Sequence, residues 1–257
     1  MNNFFRLIIV SFLGLSTTFC SAQSAFEKGV NYYQKRAENH QQLKADTTNI
    51  NLAIVNFKKA LTTENEKSLA YLLECFYYKG AFVDREKSIQ KQSWLAGKKL
   101  GEKAIKKYPK NKTILLWFIA NYSKYGEAQG IVASAKNGLA DKIKMYAEQL
   151  LALDPKFADG AAYKLLGVIN YKVPKIPLVI SWPSKEKAEQ YLIKALKENP
   201  KSVSNLYYYA EFLMEEKRET EAQVLLNKIV KITPRTSYLI EDSYDIYMAK
   251  KLLKKIK

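Results

Sequence analysis

The chain has 257 residues, 47% of them hydrophobic and 26% charged, a balance ordinary for a folded protein. Only 10 glycines and 7 prolines interrupt it, which argues against a turn-rich β fold and for helices. The formal net charge of +17 comes mostly from lysines scattered singly or in pairs, with no arginine-rich stripe and no nucleic-acid-binding motif. It reads as a solvated lysine surface, and nucleic acid is excluded as a partner.

Residues 1–22 have the three parts of a secretory signal peptide. Arg6 supplies the positive charge, Leu7–Leu15 the apolar stretch, and Cys20-Ser21-Ala22 a small-x-small cleavage site with Gln23 as the mature start. Even extended to Phe19, the apolar run falls short of the ~20 residues that span a bilayer. No other run is as apolar, so the processed chain is expected to carry no transmembrane segment. Cleavage after Ala22 gives a periplasmic or secreted protein. Lipidation of Cys20 is the alternative, and Phe19 immediately before it fits that poorly. Cleavage leaves Cys75 as the lone cysteine, with no internal disulfide available to it. A small buried hydrophobe on a helix is its expected role.

From residue 23 onwards the reading is one helical domain, 23–257. A first helix, Phe26–Asn39, is followed by extra length at His40–Asn51. Then comes Ala53-x3-Phe57-x2-Ala60, and after it the helix Ser68–Tyr78 and extra length at Phe82–Gln92. Gly97-x3-Gly101-x2-Ala104-x4-Pro109 leads to the helix Thr113–Lys124 and extra length at Gly126–Asp141. Ile143-x3-Ala147-x2-Leu150-x4-Pro155 leads to the helix Ala158–Tyr171 and extra length at Val173–Ser184. The clearest copy follows: Ala188-x3-Leu192-x2-Ala195-x4-Pro200 recurs as Ala222-x3-Leu226-x2-Ile229-x4-Pro234, every position offset by 34. That is the tetratricopeptide period. The three apolar positions share one helix face, and the proline stops the helix before the next begins. The pattern predicts an all-α solenoid of five helical hairpins. Tyr238–Lys257 is expected to be a capping helix, with Leu239, Ile246, Leu253 and Ile256 near one side and lysines solvated on another.

No catalytic motif appears, and no cofactor is implied. His40, in a polar stretch, reads as an exposed side chain, and one His with one Cys cannot build a zinc site. Glu215-Glu216 and Glu241-Asp242 are helix neighbours that point to different sides. The chain is therefore read as a binding protein and not an enzyme. Its candidate contact residues lie in three places. Trp117–Gly138 mixes aromatics with small residues and offers Trp117, Tyr122 and Tyr125. The connection 173–182 is unusually apolar and must pack as a strap or cover a pocket; it offers Ile176 and Trp182. Tyr207-Tyr208-Tyr209 cannot all face a core, so one of them, taken as Tyr208, lines the concave surface.

The order of several pieces carries a more specific resemblance. Tyr77-Tyr78-Lys79-Gly80-Ala81-Phe82 closes an early helix. Ala104-x4-Pro109 precedes the Trp117 helix and its Tyr125-Gly126 end. Leu153-Asp154-Pro155-Lys156-Phe157-x2-Gly160-Ala161-Ala162 leads to Leu166-Gly167. Val173-Pro174-Lys175-Ile176-Pro177 then precedes Lys187-Ala188-x2-Tyr191. Over roughly residues 50–235 this layout resembles the T-component family of TRAP transporters. The resemblance implies a periplasmic protein that binds an apolar small molecule, a transporter's substrate-binding protein, or both, and that self-associates. The alternative is a generic tetratricopeptide scaffold for protein–protein contacts in the cell envelope.

Overall fold

The computed structural model describes residues 23–130, 138–176, 178 and 180–256. The signal-peptide reading, Cys20, residues 131–137 of the small-residue segment, and Pro177 and Val179 of the apolar connection lie outside the described residues.

Eleven α-helices follow one another in the described residues: α1 Ala25–Gln34, α2 Thr47–Lys59, α3 Asn65–Tyr78, α4 Lys87–Lys107, α5 Lys112–Gln129, α6 Leu139–Leu153, α7 Phe157–Lys172, α8 Lys185–Glu198, α9 Val203–Glu215, α10 Glu219–Ile229 and α11 Leu239–Leu253. They pair as the five expected hairpins, α1/α2 through α9/α10, and α11 caps the last. Side chains mark several of the starts. Ser24 and Glu27 form a reciprocal capping box on α1, Asp46 caps α2, Asn111 caps α5, and Ser184 and Ser202 cap α8 and α9.

The repeat positions form the core. Ala188, Leu192 and Ala195 on α8, Ala222, Leu226 and Ile229 on α10, and Ala53, Phe57 and Ala60 at α2 are all fully buried. The small residues act through close approach. A Cβ added to Gly97 would meet the Asn121 side chain at 2.2 Å, and one on Gly101 would meet Phe118 at 2.4 Å. Helices α4 and α5, of adjacent hairpins, therefore pack closely only because α4 presents bare backbone there. Asn121 turns the same contact into a staple between repeats, donating to the carbonyls of Leu73 at 2.8 Å and Trp117 at 2.7 Å. Asn205 repeats the device on α9, with 2.8 Å bonds to the carbonyls of Asp159 and Ala195.

The extra lengths are shorter than the sequence pattern suggests. Residues 79–83 make a π-helical turn on the end of α3, and α4 begins at Lys87, so most of Phe82–Gln92 is helical. Gly126 and Asn51 likewise lie inside helices. At the start of α7 the reverse holds. Ala158, Asp159 and Gly160 have left-handed backbone with φ of 49°, 61° and 72°, so regular helix begins at Ala161. The Asn205 bond to the Asp159 carbonyl holds that turn in place.

Candidate functional site

The first helix of each hairpin faces inward, and the superhelix turns tightly enough for its two ends to meet. Ile240, on the capping helix, is fully buried in one cluster with Tyr33, Ala45, Tyr78 and Phe82 of the first two hairpins. Tyr244 adds an edge-on contact with Phe82, ring centres 6.0 Å apart. The join centres on Arg36, which is only 4% exposed. Its guanidinium pairs with Glu241 at 2.8 Å and donates to the carbonyls of Tyr33, at 3.2 Å, and Ser237. It also lies over the rings of Tyr33, Tyr78 and Tyr238, 4.3–5.7 Å from their centres. Burial alone would lower the Arg36 pKa; Tyr33 and Glu241 outweigh it and hold it above the usual arginine value. Arg235 braces the incoming capping helix through a two-pronged 2.8 Å pairing with the buried Asp242.

Closure turns the inner faces of the first helices towards one another. Tyr77 on α3, Lys124 and Glu127 on α5, Lys164 on α7, Tyr207, Tyr208 and Glu211 on α9, and Tyr244 and Asp245 on α11 come together there, and their charges act on the titration of Tyr77, Lys124, Lys164, Tyr207, Tyr208 and Asp245. Burial is the first cause of each shift in Tyr77, Tyr208, Lys164 and Asp245, yet all four remain half-buried by surface area. That combination describes groups crowded by neighbouring helices on an inner wall that stays open to solvent. The tyrosines are pushed up, so they stay protonated donors. Burial pulls Lys164 down and pushes Asp245 up to about 7. Lys124 is held up instead, because Glu127 at 2.8 Å and Tyr77 overcome its burial. Lys164 makes no ion pair within 4 Å among the described residues; its ammonium donates to Ser204 Oγ at 2.8 Å, and Ser204 lies close enough to Asp245 to offset part of the rise that burial causes in its pKa. An ammonium and a carboxylate thus share one serine across three helices. Keeping two desolvated titratable groups without direct pairing is costly, and that makes Lys164 and Asp245 the candidate site.

Two comparisons agree with this geometry. Residues 186–239 match the tetratricopeptide repeat family. A thermophilic tetratricopeptide protein of Thermus thermophilus superposes with a TM-score of 0.63, covering 90% of this chain and 97% of its own at 14% identity. This is a tetratricopeptide-type fold. A comparison with curated protein sequences finds no match.

Within the tetratricopeptide solenoid the six candidate residues separate. Trp117 stacks obliquely on Tyr77, ring centres 5.2 Å apart, and Tyr77 also acts on the half-buried Tyr208, so these two share the inner wall. Tyr122 and Tyr125 face the other way, with Lys98 of α4 over both rings. Ile176 pairs with Ile180 across a small hairpin turn. Trp182 donates to Asp141 at 2.6 Å and packs on the α6–α7 cluster, which makes this end of the connection a strap. Leu178, at the tip, is fully exposed. Cys75 is buried with its thiol pushed up by burial, and His40 is exposed, as expected of both. The sequence reading missed Arg36, Lys164, Asp245 and Tyr77. No described helix is long and apolar enough to cross a membrane.

The join and the interior charges can each be tested by one substitution. Removing one partner of a buried ion pair costs about 3–5 kcal/mol, so Arg36→Met should destabilise the protein by that order in urea melts. Hydrogen exchange in 239–249 should accelerate first; unchanged exchange there would contradict closure. Asp245 is faced by Lys164 from α7, by Ser204, Tyr207, Tyr208 and Glu211 from α9, by Tyr77 from α3, and by Asp242 on its own helix. Because its folded pKa is raised, its stabilising contribution is complete below the ordinary carboxylate range and is lost as pH rises through about 7. Asp245→Asn keeps the shape without the charge. Between about pH 5 and pH 9 the variant should lose less stability than the wild type and be the more stable at the upper end. Equal pH slopes would show that Asp245 carries no such cost.

Proposed function

We propose that the protein is a non-enzymatic helical-repeat scaffold that holds a segment of a partner protein against its inner face. The observation that carries this reading is the convergence of Tyr77, Trp117, Tyr208, Lys164 and Asp245, from five different helices, on one inner wall. Phenols and an indole supply broad contact area, while the ammonium and carboxylate fix register. Tetratricopeptide helices commonly present such a concave surface to partners. Within this reading, the order of features over 50–235 suggests a transporter's substrate-binding protein as the partner. The mixed polar and aromatic wall favours a polypeptide over an apolar small molecule.

A photo-reactive phenylalanine analogue placed at Tyr208 tests the site. In cells it should give one defined protein adduct, and the same analogue at the exposed Met145 of α6 should not. Equal labelling from both positions, or none from Tyr208, would falsify the reading. We further propose that the scaffold acts outside the cytoplasm after cleavage of 1–22. N-terminal sequencing of the mature chain should begin at Gln23; a start at a lipid-modified Cys20, or an unprocessed Met1, would replace that account.

A further inference from the structure

A second surface lies on the outer wall, away from the interior. Between α2 and α4 runs a groove of about 260 Å³, floored by Leu61, by Leu72 and Phe76 of α3, and by Ala96 and Leu100 of α4. Leu72 and Phe76 stand four apart on a different face of α3 from Tyr77. The rim is formed by Lys58, Lys99 and Lys103, all exposed, and no carboxylate lines the groove. None of these three lysines makes an ion pair or a hydrogen bond among the described residues, whereas Lys98, next to Lys99, is tied to Glu102. The apolar strip extends beyond the groove. Ile89 precedes Ala96 by seven residues on α4, Val55 precedes Lys58 by three on α2, and both are exposed aliphatics, at 41% and 46%.

We infer that this groove docks an acidic amphipathic helix of a partner protein, its apolar side chains seated on Phe76, Ala96 and Leu100 above the buried Leu72, and its carboxylates on Lys58, Lys99 and Lys103. Three features select that occupant. The volume falls below the roughly 300–1,000 Å³ of small-molecule sites and suits a few side-chain anchors. The open, elongated strip has the shape that receives apolar residues at helical spacing. The free lysine rim demands negative charge, and a second copy of this chain, itself at +17, would meet it with like charge.

The test uses the full mature chain and a synthetic helix-forming peptide with leucines at i, i+4 and i+7 flanked by glutamates. A charge-reversed twin carries lysines in their place, and phosphatidylglycerol vesicles form a third arm. Fluorescence anisotropy should show saturable binding of the acidic helix, weakening as salt rises, and none of its twin. The Lys58→Glu/Lys99→Glu/Lys103→Glu variant, altered only at exposed positions, should bind at least about tenfold more weakly. Ala96→Tyr should also weaken binding by filling the groove, with its circular dichroism melt unchanged. The inference is overturned by absent binding, by equal binding of both peptides, by charge variants that bind as the wild type does, or by binding to vesicles alone. None of these outcomes bears on the interior site, because Tyr208 labelling does not involve α2 or α4.

Discussion

The closed shape depends on one buried guanidinium. Arg36 cannot shed its charge, so it can leave water only where several groups replace its hydration at once. No single end of the chain can do this. Tyr33 and Tyr78 belong to the first two hairpins, while Glu241, Ser237 and Tyr238 belong to the last turn of the superhelix. The Tyr78 hydroxyl in turn donates to the Arg36 carbonyl at 3.3 Å, fixing backbone and side chain together. A buried pair of this kind adds little net stability compared with apolar packing. What it supplies is selectivity. An open superhelix would leave Arg36 partly stranded among aromatic rings, so the closed arrangement is singled out, and Ile240 adds the apolar burial.

Closure explains why the interior charges behave as they do. On an open concave face Lys164 and Asp245 would be bathed in water and titrate near their ordinary values. Half-buried among the packed helices, both are driven towards neutrality, chiefly by loss of water. Their shared contact, Ser204, sits on α9, so the bridge ties α7 and α11 to the hairpin between them. The inner wall is therefore complete only when the capping helix is in place.

The hairpins were legible in the sequence because they rest on local chemistry. Ala188, Leu192, Ala195 and Pro200 recur at a fixed offset since each repeat must bury the same face and stop at the same turn. The closure was not legible. Arg36 and Glu241 lie 205 residues apart, and neither stands out from its neighbours. Amphipathic spacing marks Ile246 and Leu253 as one face of α11 but is silent on Ile240, which packs against the far end of the chain. The aromatic candidates divide for a related reason. A helix in a solenoid buries one face on its partner and another on the next repeat, so richness in aromatics cannot say which side turns inward. Trp117 and Tyr208 turn inward, while Tyr122 and Tyr125 lie under Lys98.

The distribution of charge separates approach from recognition. The excess of lysine lies on outward-facing helices, as in the unpaired rim of Lys58, Lys99 and Lys103, and its field reaches beyond the surface by about a Debye length, ~8–10 Å. The interior is different: Lys124 is matched by Glu127, Lys172 by Glu211, and Lys164 stands near Asp245. On the proposed reading, an acidic partner would be drawn to the outside by a sign of charge that the inside does not share. Contact with the inner wall would turn on shape and aromatic surface, not on net charge. The join at Arg36 thus keeps two surfaces of different character apart: a basic outer one and an inner one in which charges of both signs meet aromatic rings.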